Sequence, residues 1–153
     1  MIKESDLQVM VADYLRLQYP DVLFHSDFGS GIKLTMGQAA KQRRQNGGRR
    51  AWPDMFIAEP KKVYQKFKNV DGDGIEGFNL KHGLFIELKR EGTRIFKKDG
   101  KLVADEHIRE QFDMLEELRQ RGYAAEFACG FDEAKAIIDN YLGGKSEIRK
   151  EIF

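Results

Sequence analysis

The chain has 153 residues, which is enough for one domain with a hydrophobic core, and it is 41% hydrophobic and 33% charged. This balance excludes an intrinsically disordered chain, and no apolar run approaches the roughly 20 residues that a membrane-spanning helix needs. The net charge of +1 excludes a uniformly basic surface. The chain shows no signal peptide, and its single cysteine, Cys129, cannot form an internal disulfide. We therefore expect a cytosolic protein without a membrane partner.

The first predicted helix carries one apolar stripe at helical spacing, formed by Leu7, Met10, Val11, Tyr14 and Leu15. Ser5 and Gln8 lie three residues apart and indicate a capping box at its start, and Pro20 ends it. Residues 22–25 then predict a short strand, and a glycine-containing turn at 29–31 follows.

The middle of the chain predicts a short basic helix over residues 36–46, which ends at a pair of glycines. Residues 54–58 read as a strand that begins after Pro53, a position where no ladder donor is needed. Residues 59–82 are rich in lysine and glycine, and they predict a hairpin or a long loop inserted between two core strands.

The second half alternates strands and helices. Residues 84–89 give the strongest strand, and residues 93–103 predict a hairpin. A helix over 105–121 precedes a strand at 123–128, and a last helix spans 132–142. The inner face of the helix at 105–121 is predicted to be formed by Ile108, Phe112, Leu115 and Leu118. The inner face of the last helix is predicted to be formed by Ala134, Ile137, Ile138 and Tyr141.

This order of elements predicts an α/β fold, with a mixed central sheet and a helical layer on each side. One domain is expected over residues 1–142, with the insert at 59–82 inside it and a short charged tail at 143–153.

Two charged side chains share one face of the strand at 84–89. Side chains alternate along a strand, so Glu87 and Lys89 point away from the core that Ile86 faces. A carboxylate and an ammonium two residues apart could serve catalysis, or they could form a simple ion pair.

Asp54 favours the catalytic interpretation. It stands at the start of a predicted strand that precedes the strand with Glu87, so the two carboxylates could lie together. Their mutual repulsion would be costly without a cation. Mg²⁺ takes hard oxygen ligands and keeps several waters, and two carboxylates are a typical protein share of such a site.

Several short motifs occur in one order along the chain. They are Glu4 ahead of Gln8, then Ala51-Trp52-Pro53-Asp54, Glu87-Leu88-Lys89, Glu110-Gln111 and Gly122-Tyr123. In this order they resemble the VRR-NUC family of the PD-(D/E)XK nuclease superfamily, in particular its small stand-alone phage and bacterial members. The resemblance covers roughly residues 2 to 142, and it implies a PD-(D/E)XK nuclease-like sheet flanked by helices.

The resemblance also implies roles for five residues. Asp54 and Glu87 would bind the metal, and Lys89 would be the catalytic lysine. Gln111 would support the site, and this is favoured because it lies on the same helix face as Ile108 and Leu115, where an apolar residue would otherwise be expected. The alternative is that Gln111 borders the core with an ordinary hydrogen bond. Glu4 would add a further acidic group, although the helix dipole alone favours an acid there.

By resemblance we expect a Mg²⁺-dependent DNA endonuclease that hydrolyses phosphodiesters, with Mn²⁺ able to substitute. Small members of the family act on branched DNA such as Holliday junctions, often as homodimers, in the cytosol of a bacterium or a phage-infected host. The chain departs from the family pattern at two points. Ala51 stands two residues before the proline, where the family usually has glycine, and the insert at 59–82 is longer than expected.

A basic segment without acidic residues lies between Gly29 and Trp52. Its six basic residues are Lys33, Lys41, Arg43, Arg44, Arg49 and Arg50. We predict that these residues bind the phosphate backbone, and the alternative is a solvated loop and helix face. Trp52 could stack on a base or pack, and packing is favoured.

Two rival functions share these features. A non-catalytic DNA-binding or recombination accessory module would keep the basic segment without needing the three site residues together. A nuclease that acts on RNA is the second rival. The three histidines have no zinc-site spacing, and His107 is expected on an exposed helix face.

Overall fold

A computed structural model describes residues 1–27, 32–68, 71–72 and 74–143 of the chain. The predicted turn at 29–31 and the predicted tail beyond Gly143 lie outside these residues. The helices are α1 (Glu4–Gln18), α2 (Met36–Gln45), α3 (Glu106–Gln120) and α4 (Phe131–Leu142). The strands are β1 (Phe24–Ser26), β2 (Met55–Ile57), β3 (Lys61–Lys68), β4 (Gly74–Lys81), β5 (Leu84–Lys89) and β6 (Ala124–Cys129). No helix in the described ranges is long and apolar enough to cross a membrane.

The central sheet has the strand order β1-β2-β5-β6. β1 pairs with β2 and β2 with β5 in antiparallel fashion, whereas β5 and β6 are parallel. The parallel pair requires a crossover connection, and α3 supplies it. β3 and β4 form a separate two-stranded hairpin. The predicted α/β class with a mixed central sheet is therefore confirmed.

Each face of the sheet packs against helices because side chains alternate along β5. Leu84, Ile86 and Leu88 are buried in one cluster with residues of α1 and α4. Phe85 points to the opposite face and packs against the cluster that contains Leu115 of α3. The inner face of α3 is formed by Ile108, Gln111, Met114, Leu115 and Leu118. Phe112, which the sequence placed there, is only half-buried.

The start of α1 differs from the sequence prediction. The helix begins at Glu4 with Lys3 as its N-cap, and no side chain caps it, so the predicted capping box is wrong. Gln8 is instead 8% exposed, and its amide donates to Ser26 Oγ at 2.8 Å and to the Asp27 carbonyl at 2.9 Å. Because Gln8 takes a place on the inner face, Met10 turns outward and is 38% exposed.

The predicted hairpin at 93–103 is also reduced. One isolated bridge joins Phe96 and Leu102, and no strand of that segment is described. The Lys97 carbonyl accepts from the Gly100 amide at 3.0 Å, which closes a tight turn there. The Lys97 amide donates to the Lys101 carbonyl at 2.7 Å and the Val103 amide to the Ile95 carbonyl at 3.0 Å, so a short hairpin forms around this single bridge.

A polar cluster joins α1 to α4 across the surface of the core. The hydroxyls of Tyr14 and Tyr19 donate to Asp139 Oδ1 at 2.5 and 2.7 Å, and Lys135 Nζ lies 2.6 Å from Asp139 Oδ2. The hydrogen bonds from Lys135 and Tyr14 lower the pKa of the Asp139 carboxyl to about 2. The carboxylate therefore stabilises the contact between the first and last helices.

We predict that Asp139→Ala lowers the free energy of unfolding by about 1–3 kcal/mol at pH 7, because two hydroxyls and an ammonium lose their shared partner. The folded pKa lies below the unfolded value of 3.8, so the stabilisation is present above pH 3.8 and disappears as the pH falls toward 2. Urea unfolding at pH 7 and pH 2.5 measures both effects. Asp13→Ala is the matched control on α1, since its exposed ion pair with Arg16 at 3.6 Å contributes little. Equal losses in the two variants would contradict the prediction.

Candidate active site

The register of β2 against β5 brings Asp54 and Glu87 together. Met55 pairs with Ile86 in the antiparallel ladder, which sets the preceding residue, Asp54, across from Glu87. Asp54 Oδ2 accepts a hydrogen bond from the Leu88 amide at 2.7 Å. This bond ties the half-buried carboxylate of one strand to the backbone of the other.

Glu87 is a buried carboxylate with two close polar partners. Its Oε1 lies 3.3 Å from Lys89 Nζ and accepts from Gln111 Nε2 at 2.5 Å. The side chains of Lys89 and Glu87 are only 8% and 5% exposed. Burial first, and the neighbouring Asp54 second, raise the pKa of Glu87 from 4.5 to about 8. Lys89 acts in the opposite direction without cancelling the rise. The ion pair that the sequence offered as an alternative thus forms, and it forms beside Asp54.

Gln111 reaches the site from the inner face of α3. Its Nε2 also lies 3.1 Å from His107 Nε2, one helical turn earlier. Its Oε1 is buried and has no hydrogen-bond partner among the described residues. A buried amide oxygen without a partner is unusual, and it marks this point as one where a ligand or water would be stabilised.

An open cleft of about 440 Å³ contains all five predicted site residues. Its acidic residues come from four elements or their ends, since Glu4 begins α1 and Asp27 follows β1. The charge of Glu4 contributes to the raised pKa of Glu87. The residues that line the cleft are Glu4, Asp27, Ala39, Gln42, Arg43, Asn46, Arg49, Arg50, Ala51, Trp52, Asp54, Glu87, Lys89, His107 and Gln111.

The basic segment lies only partly in this cleft. Arg43, Arg49 and Arg50 line it. The other three predicted phosphate-binding residues, Lys33, Lys41 and Arg44, are exposed but do not line the cleft. Arg49 also pairs with Glu117 of α3, its Nη2 lying 2.6 Å from Glu117 Oε1. The cleft is therefore lined by arginines as well as by carboxylates, and one of these arginines is held against α3.

The segment before Asp54 has an unusual backbone. Ala51 has φ +60°, a left-handed conformation that glycine adopts readily and that an L-residue adopts at a penalty of about 1–2 kcal/mol. Ala51 thus adopts a glycine-like φ at the position where the resembled family usually has glycine. Trp52 follows, 42% exposed, with its ring centroid 6.3 Å from that of Phe85. It both packs and lines the cleft.

Sequence reasoning missed three residues of this region. Gln8 was assigned to a helix cap, whereas it binds the β1 end near Asp54, its amide 3.4 Å from the Asp54 carbonyl. His107 was placed on an exposed face, which is correct, but that face opens into the cleft. The sequence did carry a signal for His107, because it precedes Gln111 by four residues and the two side chains therefore lie on one helix face. Asp27 carried no signal, because only the pairing of β1 with β2 places it there.

The donor set fits a hard cation with few protein ligands. Asp54 and Glu87 offer carboxylate oxygens, and a cation between them would offset the repulsion that raises the pKa of Glu87. Among the described residues, no group of three or more His, Cys, Asp or Glu side chains is arranged to hold a metal ion. An ion held here would complete its shell with water and substrate oxygens, as Mg²⁺ commonly does.

Comparison with solved structures shows a likeness in fold. A VRR_NUC domain protein superimposes with a TM-score of 0.57 at 19% identity, covering 94% of this chain and 90% of that chain. Neither a protein-family model nor a curated protein matches the sequence. At this identity the likeness is one of fold alone. It confirms the fold that the resemblance in the sequence implied.

We predict that the metal-free protein loses stability as Glu87 ionises. Its pKa is raised on folding, so the stability that Glu87 contributes is fully present below the unfolded pKa of 4.5 and is lost as the pH rises to the folded pKa of about 8. Relative to Glu87→Gln, the wild type should lose about 1 kcal/mol or more over this range, since one pKa unit corresponds to about 1.4 kcal/mol. Urea unfolding in EDTA between pH 5 and pH 9 measures the difference. Glu126→Gln, on an exposed position of β6, should keep the wild-type slope; a Glu87→Gln slope that equals it would contradict the prediction.

Proposed function

We propose that the cleft is the active site of a metal-dependent DNA endonuclease that hydrolyses phosphodiester bonds with Mg²⁺, or with Mn²⁺ in its place. The observation that carries the proposal is the convergence of Asp54, Glu87 and Lys89 in one cleft that arginines also line. The likeness in fold to a VRR_NUC domain protein agrees with a nuclease-type domain. Each of these features would be needed by a nuclease, and a protein that only packs would need none of them.

Each residue has a role that follows from its position. Asp54 and Glu87 would hold the metal, which when bound polarises the phosphate and lowers the pKa of water. Lys89, held by Glu87 at 3.3 Å, is placed to orient the attacking water and to offset the negative charge that develops on the phosphate. Gln111 fixes the Glu87 carboxylate through its 2.5 Å hydrogen bond, and Glu4 would add a further acidic group at the cleft.

The arginines of the cleft would hold the DNA backbone. Arg43, Arg49 and Arg50 line the same cleft as the carboxylates, so both groups would border a phosphate that is bound there. Lys33, Lys41 and Arg44 would extend the contact along the strand outside the cleft. Binding through such cations releases counterions, so the affinity should fall steeply as the salt concentration rises.

The substrate proposed from the family resemblance is branched DNA, such as a four-way junction. We also propose that the protein is a homodimer, because two copies of the cleft would be needed to cut two strands of a junction. The proposal also includes a location in the cytosol of a bacterium or a phage-infected cell. RNA is a rival substrate, and it enters the test as a separate arm.

The test incubates the protein with linear duplex DNA, flap DNA, four-way junctions and single-stranded RNA, each with Mg²⁺, Mn²⁺ or EDTA. We expect cutting of DNA that EDTA abolishes and that is fastest on junctions. Asp54→Asn and Lys89→Ala should each reduce the rate by about a hundredfold or more. Asparagine keeps an oxygen that can accept from the Leu88 amide, so Asp54→Asn removes charge while the strand contact is retained.

Asp113→Asn and Lys98→Ala are the matched controls, because both residues are exposed and lie outside the cleft. Both should cut at the wild-type rate. A wild type that binds DNA but leaves every substrate intact with either metal would instead identify a non-catalytic DNA-binding or recombination accessory module. Mutants of Asp54 and Lys89 that cut as fast as the controls would overturn the site assignment.

A further inference from the structure

The β3–β4 hairpin stands apart from the central sheet. Its two strands pair from Lys61 with Lys81 to Lys68 with Gly74, and it forms a sheet of its own. Contacts at its root fasten it to α4: Lys61 Nζ donates to the Asn140 carbonyl at 2.7 Å, and the hydroxyl of Tyr141 donates to the Glu59 carbonyl at 2.6 Å. Two-stranded sheets are marginally stable alone, so a partner that covers one face would stabilise it.

One face of this hairpin carries an exposed pair of aromatic rings. Tyr64 and Phe78 lie directly opposite each other in the ladder, with ring centroids 6.2 Å apart. They are 63% and 51% exposed, and Leu80, on the same face two residues along, is 44% exposed. Single exposed apolar residues are common, whereas adjacent ones form a patch that marks an interaction surface.

The charges around this pair favour a polyanion. Lys62 Nζ lies 4.9 Å from the centroid of the Phe78 ring, and Lys66 is on the same face at the next position along β3, where it pairs with Glu76 across the ladder. Residues 61–81 contain five lysines and three acidic residues, and the acids lie between residues 71 and 76, toward the tip. Glu76 therefore offsets Lys66, and the excess of positive charge lies toward the root of the hairpin, where Lys62 stands beside the rings.

We propose that this face binds single-stranded DNA, with unpaired bases stacked on Tyr64 and Phe78 and the backbone near Lys62. The inference deepens the proposed function and rests on it, since the strand would be an unpaired segment of the DNA that is cut. Aromatic side chains beside cations are the means by which proteins hold unpaired bases without reading sequence. A second copy of the chain fits less well, because two such faces would bring like-charged lysines together.

The location suits a second contact on one substrate. Two residues separate the end of β4 from Leu84, the first residue of β5, and Lys89 is the last residue of β5. The root of the hairpin and Lys89 therefore lie at opposite ends of one strand. The bases held by the hairpin would thus lie apart from the phosphate in the cleft. This arrangement would favour DNA in which a duplex meets a single-stranded segment.

The test measures fluorescence anisotropy in EDTA with a fork that has single-stranded arms and with a blunt duplex of equal length. Tyr64→Ala/Phe78→Ala should bind the fork about tenfold or more weakly, because two stacking platforms are lost, while its affinity for the duplex changes less than twofold. Tyr64→Phe/Phe78→Tyr keeps both rings and should bind the fork as the wild type does. Tyr64→Leu/Phe78→Leu keeps an apolar face without rings, and it should reproduce the loss even if the alanine variant unfolds.

Three outcomes would overturn the inference. Leucine and wild-type proteins that bind the fork equally would show that the rings do not stack on bases. A ring-dependent change in solution mass, with unchanged fork affinity, would assign the face to a second copy. A wild type that prefers the blunt duplex would place the unpaired bases elsewhere. Failure of the nuclease proposal is read separately, from cutting with Mg²⁺, and a ring-dependent fork preference without cutting would leave the hairpin surface standing.

Discussion

The rest of the structure is arranged around the burial of the Glu87 carboxylate beside a second carboxylate. Removing a charge from water is unfavourable unless it is paired and hydrogen-bonded. Lys89 and Gln111 supply those contacts, yet the pKa of Glu87 still rises to about 8, because burial and Asp54 outweigh the ammonium. Asp54 and Glu87 can therefore both be ionised in this site only at a penalty in free energy. A divalent cation would relieve it, and this is the physical basis of the proposed metal dependence.

The hydrophobic core fixes this arrangement. Ile86 and Leu88 are fully buried against the α1–α4 layer, so the alternation of β5 directs Glu87 toward the side from which α3 presents Gln111. β2 also approaches the chain closely at Gly83, the residue before β5, where an added Cβ would lie 2.5 Å from a carbon of the Phe56 ring. A slip of one residue in β5 would exchange the core and site faces and abolish the site.

Local patterns in the sequence were sufficient for most of the architecture. Alternation in residues 84–89 predicted which face Glu87 and Lys89 share, and the polar Gln111 on an apolar helix face indicated a special environment. What local patterns could not supply was contact between distant segments. Gln8 satisfies the spacing of a capping box, but the docking of α1 against β1 gives its amide better partners. Asp27 also reaches the cleft through a contact between distant segments, the pairing of β1 with β2. The division of the basic segment into cleft-lining and outer residues likewise depends on where α2 packs.

The central claim is that Asp54 and Glu87 share a divalent cation, and proton release on metal binding tests it most directly. Mn²⁺ is titrated into the protein by calorimetry at pH 7 in two buffers that differ in ionisation enthalpy. Because Glu87 is largely protonated without metal and must ionise to bind it, the account predicts release of close to one proton per bound ion. Glu87→Gln should release none and bind weakly, and Asp54→Asn should also bind weakly. Absence of binding by the wild type, or binding that releases no proton, would contradict the account.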